Sequence, residues 1–191
     1  MSGLTNAPLS PLRQWVQGQL FALFLMHGKE IRSDQKAQVF TDWTGATQSW
    51  LQQQWATERQ DLVNGKMRAV TTTCNSFLNV MVNKIRRAGG LANSVFPSFD
   101  LPKAGGAAWH WQGESSLPKP GDFYQIGTRG GSYKHVGIVF DIDGIVWTTA
   151  EAGQGGPRVN HDSIKLNGPR VINTGIKGWI DIDEFFKGWN G

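Results

Sequence analysis

One cysteine, Cys74, stands in a chain of 191 residues. A single thiol excludes an intramolecular disulfide framework and any zinc site built from paired cysteines, so packing must hold the fold together. Long apolar runs are missing as well. The most apolar stretch, LFALFLM at 20–26, falls far short of the roughly 20 residues that cross a bilayer, and no stable membrane insertion is expected. The first residues lack the charged start, apolar stretch and small-residue cleavage site of a secretory signal. The chain is therefore expected to be made in the cytoplasm, and action beyond it would need another export route. No nucleic-acid motif accompanies the scattered basic residues. Their densest group, KIRR at 84–87, reads as a solvated helix end whose cations suit the helix dipole, and nucleic acid is not an expected partner.

The formal charge of +4 and pI near 9.4 suit an anionic partner such as a cell-wall polymer. Along the chain, the first half reads as helices. Ser10-Pro11 gives a capping hydroxyl and a proline in the first turn, and Leu12, Trp15, Val16, Leu20, Leu23 and Phe24 follow at helical spacing until Gly28. A second helix is expected over about 45–63, with Trp50, Leu51, Trp55 and Leu62 as core residues and Asn64-Gly65 as its stop. A third, over about 73–88, lines up Cys74, Phe77, Leu78, Met81, Val82 and Ile85 and ends at Gly89-Gly90.

Residues 91–120 carry many Gly, Pro and Ser and read as a long loop, with AAWHWQ as a short extended segment inside it. Beyond 120 the period changes to that of strands: GDFYQIG, HVGIVFDI and GIVWTTAEA, with Asp143-Gly144 as a hairpin signal between the last two. RVINTGIKGWIDID at 170–183 adds one or two more. Helices followed by an antiparallel meander predict an α+β fold, N-terminal helices packed on an antiparallel sheet. Residues 1–70 are expected to be a helical extension of the same domain, and residues 71–191 its core.

A thiol becomes a useful nucleophile when a helix N-terminus and a neighbouring imidazole stabilise the thiolate. Cys74 has the first by position. His135, opening the strand HVGIVFDI, is the best placed of the four histidines to supply the second. His27 suits a helix C-terminus, His161 lies in a polar turn, and His110 in the long loop is a candidate to line a substrate cleft. An imidazole base also needs a partner on its other nitrogen. The hairpin at Asp143-Gly144 returns Glu151 to the neighbourhood of His135, while Asp141 and Asp143 stay at the far end. Cys74, His135 and Glu151 are thus expected to converge. Gly153 and Gln154, just beyond Glu151, are candidates for substrate contact, although a simple turn explains them equally well.

The stretch KPGDFYQIGTRGGSYKHVGIVFDIDGIVWTTAEAGQGG resembles the second half of a CHAP domain, the cysteine, histidine-dependent amidohydrolase/peptidase family, and more broadly NlpC-type papain-fold peptidases. The shared features are a Pro120-Gly121-Asp122 turn opening a strand, a glycine-rich loop before His135-Val136-Gly137, and an acidic residue, Glu151, on the next strand. Cys74-Asn75 at a helix start matches the nucleophile helix. The resemblance spans about 72–155. It implies a papain-like fold and hydrolysis of amide bonds in peptidoglycan through a Cys-His-Glu triad, with no metal or organic cofactor. Without a signal, such an amidase would be an injected antibacterial toxin paired with an immunity protein, or a phage-type lysin released by lysis. Other readings of the same residues are a cysteine hydrolase or deamidase acting on a protein, and a non-catalytic wall-binding module whose nine tryptophans serve glycan contact.

Overall fold

The computed structural model describes residues 8–31, 60–63, 66–69, 74–92, 96, 100–114, 116–127, 134–154, 163–171 and 175–191. Helix α1 (Pro11–His27) begins where the sequence places it. The Ser10 hydroxyl accepts a hydrogen bond from the Arg13 N–H at 3.2 Å, and Pro11 occupies a position that needs no donor. Leu12, Val16, Leu20, Leu23 and Phe24 are buried along it, and Gly28 closes it in a positive-φ conformation. Helix α2 (Cys74–Ala88) buries Phe77, Leu78, Met81, Val82 and Ile85 and turns off at Gly89-Gly90.

The strands are β1 (Glu30–Ile31), β2 (Gln60–Val63), β3 (Lys66–Ala69), β4 (Trp109–Trp111), β5 (Phe123–Gly127), β6 (Lys134–Asp143), β7 (Val146–Gln154), β8 (Ser163–Val171) and β9 (Ile176–Ile180). Seven of them form one sheet in the order β1-β8-β7-β6-β5-β9-β4, and every neighbouring pair in it is antiparallel. The β6–β7 hairpin turns at Asp143-Gly144, with Asp143 opposite Val146 and Gly144 at φ 59°, a conformation glycine adopts without steric cost. The α+β class is therefore the observed one. Among the described residues no helix is long and apolar enough to cross a membrane.

Period-two alternation divides the sheet into two faces. Val136 and Ile138 of β6 and Ala150 and Ala152 of β7 join the large core that α1 and α2 cover. The small side chains of β7 leave room for α2, which lies over β6 and β7. Tyr124, Val139, Trp147, Ile176 and Trp179 form a second, separate cluster. Two expectations need correction. Residues 60–63 are not the end of a helix but β2, paired with β3, and Asn64-Gly65 between them is as good a hairpin signal as a helix stop. The remainder of that expected helix, with Trp50, Leu51 and Trp55, lies outside the described residues. The expected long loop contains a short helix α3 (Leu101–Gly105) and a 3-10 turn (Gly106–Ala108), with β4 where AAWHWQ was expected to be extended.

A buried charge fixes α1 to the rest of the chain. Arg13, 1% exposed, donates to Asp122 at 2.7 Å, Asp181 at 2.7 Å, Asp183 at 2.6 Å and the Pro120 carbonyl at 3.0 Å. Asp181 also caps helix α4 (Ile182–Phe185). Asp122 accepts further from the backbone N–H of Lys119 at 2.7 Å and of Ile182 at 3.2 Å. Complete burial pushes the Asp122 carboxyl up to about 7, against the pull of Arg13 and the Lys119 N–H. Substituting Arg13→Met removes the cation and leaves Asp122 uncompensated. Denaturant unfolding at pH 8 should show a loss of about 3–5 kcal/mol, the range for a broken buried pair. The loss should shrink at pH 5, because a carboxyl whose folded pKa is raised recovers stability by taking up a proton as pH falls.

Candidate active site

Cys74 is the first residue of α2, and His135 the second of β6. A hydrogen bond joins their side chains. His135 is 6% exposed and its Nε2 lies 3.0 Å from Glu151 Oε2. With Nε2 occupied, Nδ1 is the ring nitrogen left for the sulfur. Glu151 is 2% exposed and shares the β7 face with Thr149, opposite Ala150 and Ala152. The structure thus brings Cys74, His135 and Glu151 together in the order thiol, imidazole, carboxylate. Asp141 and Asp143 pair with Thr148 and Val146 toward the other end of the hairpin.

The electrostatics follow from these contacts. Burial alone would raise the Cys74 thiol. The hydrogen bond and positive charge of His135 outweigh it, helped by backbone hydrogen bonds from Val136 and Asn75, and hold the thiol below its ordinary value. Burial opposes charge on His135 too, but Cys74 and Glu151 push the imidazole up to about 9. The Glu151 carboxyl is held well below the usual carboxylate range, since His135, Arg170 and Thr149 overcome its desolvation. Both shifts favour thiolate and imidazolium over the neutral pair.

Glu151 has more partners than the sequence suggested. Its Oε1 accepts from the hydroxyls of Tyr124 and Thr149 and from the Arg170 guanidinium. Its Oε2 accepts from Asn167 Nδ2 at 2.9 Å besides His135. Period two would have put Thr149 beside Glu151. Asn167 and Arg170 needed the register of β8, which pairs Thr149 with Asn167 and Trp147 with Arg170 across an irregularity. Tyr124 lies opposite Gly137 on β6, and a Cβ on that glycine would sit 2.6 Å from the Tyr124 hydroxyl. The glycine of the His-Val-Gly triplet therefore makes room for the tyrosine that reaches Glu151.

Gly153, at φ 71°, and Gln154 continue β7 just beyond Glu151, with a register irregularity between Glu151 and Gln154. His110 is a correction. It sits on edge strand β4, separated from β6 by β9 and β5. Its ring stacks on Trp179 at 5.8 Å and its Nδ1 lies 3.2 Å from Glu114, so the structure does not bring it to the thiol. His161 lies outside the described residues. Among the described residues no group of three His, Cys, Asp or Glu side chains is arranged to hold a metal ion.

Comparison with protein-family models, with curated proteins and with solved structures finds no match for this chain. The site is consequently read from its own geometry, which defines a buried cysteine–histidine–carboxylate constellation on a helix start and two adjacent strands.

Alkylation by iodoacetamide reports the thiolate without any knowledge of substrate. Its rate at Cys74 should exceed that of an ordinary thiol at neutral pH, because the His135 imidazolium holds the thiol below its usual value. Replacing His135→Gln removes that support, and alkylation at neutral pH should slow towards or below the rate of an ordinary thiol.

Proposed function

We propose that the protein is a papain-like cysteine amidase of the CHAP/NlpC type that cleaves amide bonds in peptidoglycan. The observation that carries this reading is the line of contacts from Cys74 at a helix start, through His135, to the buried carboxylate of Glu151. An ion pair prepared in this way suits acyl transfer to sulfur. The Cys74 thiolate attacks the amide carbon, and the carbonyl electrons move to oxygen to give a tetrahedral intermediate. As the C–N bond breaks, the His135 imidazolium gives its proton to the departing amine, leaving a thioester on Cys74. Water then attacks the thioester carbon, neutral His135 takes its proton, and the thiolate departs with the C–S electrons.

The Cys74 backbone N–H, at the first turn of α2, has no intrahelical acceptor and suits the developing oxyanion. Glu151 holds the imidazole by Nε2 so that Nδ1 remains directed at the sulfur, the role a third group takes in any such triad. The basic charge of the chain suits an anionic wall polymer. The setting proposed with this reading is that of an antibacterial protein neutralised in its producer by an immunity protein.

Mass spectrometry of purified peptidoglycan after digestion should show new fragments with the unsubstituted protein and none with Cys74→Ala or His135→Gln. The fragment masses would name the bond cut. If the folded protein releases nothing, peptidoglycan is not its substrate. Its own activity on a protein amide, lost in Cys74→Ala, would then mark a deamidase or protease, and wall binding unaffected by Cys74→Ala would mark a binding module.

A further inference from the structure

A glutamate turns about three side-chain torsions, and fixing such a side chain costs more entropy than fixing a shorter one. Glu151 nevertheless presents one particular oxygen to His135. Its two oxygens divide their partners. Oε2 faces His135 at 3.0 Å and Asn167 at 2.9 Å, whereas Oε1 takes the Tyr124 and Thr149 hydroxyls and the Arg170 guanidinium. The groups on Oε1 also hold one another. Arg170 Nη2 donates to Thr149 Oγ1 at 2.9 Å and to Tyr124 Oη at 3.2 Å, and its guanidinium lies 5.3 Å from the centre of the Trp147 ring. Tyr124 and Thr149 are wholly buried, and the three groups come from β5, β7 and β8.

Resting on the amidase reading, we propose that Tyr124, Thr149 and Arg170 are positioning residues: by occupying Oε1 they fix the Glu151 carboxylate with Oε2 turned to His135 Nε2. None of the three is a catalytic residue, since each acts on the imidazole only through Glu151.

Positioning and simple electrostatics predict opposite signs. Arg170 and the two hydroxyls withdraw negative charge from the carboxylate. If that were all they did, their removal would strengthen the hold of Glu151 on the imidazolium and raise the His135 midpoint. If they keep the carboxylate in place, their removal lets it turn away and the midpoint falls. Among the described residues, the charged and titratable groups that bear on His135 include Cys74 from α2 and Glu151 from β7, and those that bear on Glu151 include His135 from β6, Tyr124 from β5 and Arg170 from β8.

The test is a proton NMR titration of the histidine rings, with His135 assigned by the signal lost in His135→Gln. In the unsubstituted protein the His135 midpoint should lie near 9. Arg170→Gln and Tyr124→Phe should each lower it by about one unit, the scale of losing a carboxylate neighbour. Arg170→Lys, which keeps the charge, should recover part of the shift. The Arg170 side chain is 36% exposed, so that variant tests positioning with little disturbance of the core. A midpoint unchanged or raised in both Arg170→Gln and Tyr124→Phe would overturn the clamp while leaving the triad intact. A midpoint near 6.5 in the unsubstituted protein would show that the ion pair itself is absent, overturning the amidase reading and the clamp with it.

Discussion

A carboxylate taken out of water survives only if its lone pairs are occupied. Glu151 meets that condition with three hydroxyl or guanidinium partners on one oxygen and an amide and an imidazole on the other. The rest of the site depends on it. The carboxylate lets His135 keep its proton in a buried position, and the imidazolium favours loss of the Cys74 proton beside it. Each step uses the charge made by the one before, so the ionisation of the sulfur depends on a carboxylate that the imidazole joins to it.

The second buried charge cluster inverts this arrangement. Around Glu151 an anion gathers donors, and around Arg13 a cation gathers three carboxylates. The first biases the charge state of His135 and Cys74, and the second joins α1, the turn before β5 and the start of α4. Asp122 shows how the two are linked. It anchors Arg13 through its side chain, and the strand it opens carries Tyr124 to Glu151. A turn that resembles part of a family signature is a structural tether at the start of the strand that carries Tyr124.

What could be read from the sequence was local. Ser10-Pro11, Gly28 and Gly89-Gly90 bounded two helices because caps and stops act within a few residues. Asp143-Gly144 set the β6–β7 hairpin, and the hairpin brought Glu151 back toward His135. What escaped needed information from distant residues. Asn167 and Arg170 face Glu151 only through a register interrupted by irregularities, and no periodicity reveals where such an interruption falls. Nor could spacing show that Arg13, in the middle of an apolar helical pattern, was buried. The position of His110 escaped because an extended WHW does not reveal its neighbour: only pairing with β9 places it at the sheet edge, away from the thiol.

The partners of Arg13 lie 109, 168 and 170 residues further along the chain. Synthesis places α1 well ahead of them, and its guanidinium gains its full set of carboxylates only when Asp181 and Asp183 have followed Asp122. α1 therefore completes its seating against elements made long after it. The order of synthesis and the order of completion differ along this chain.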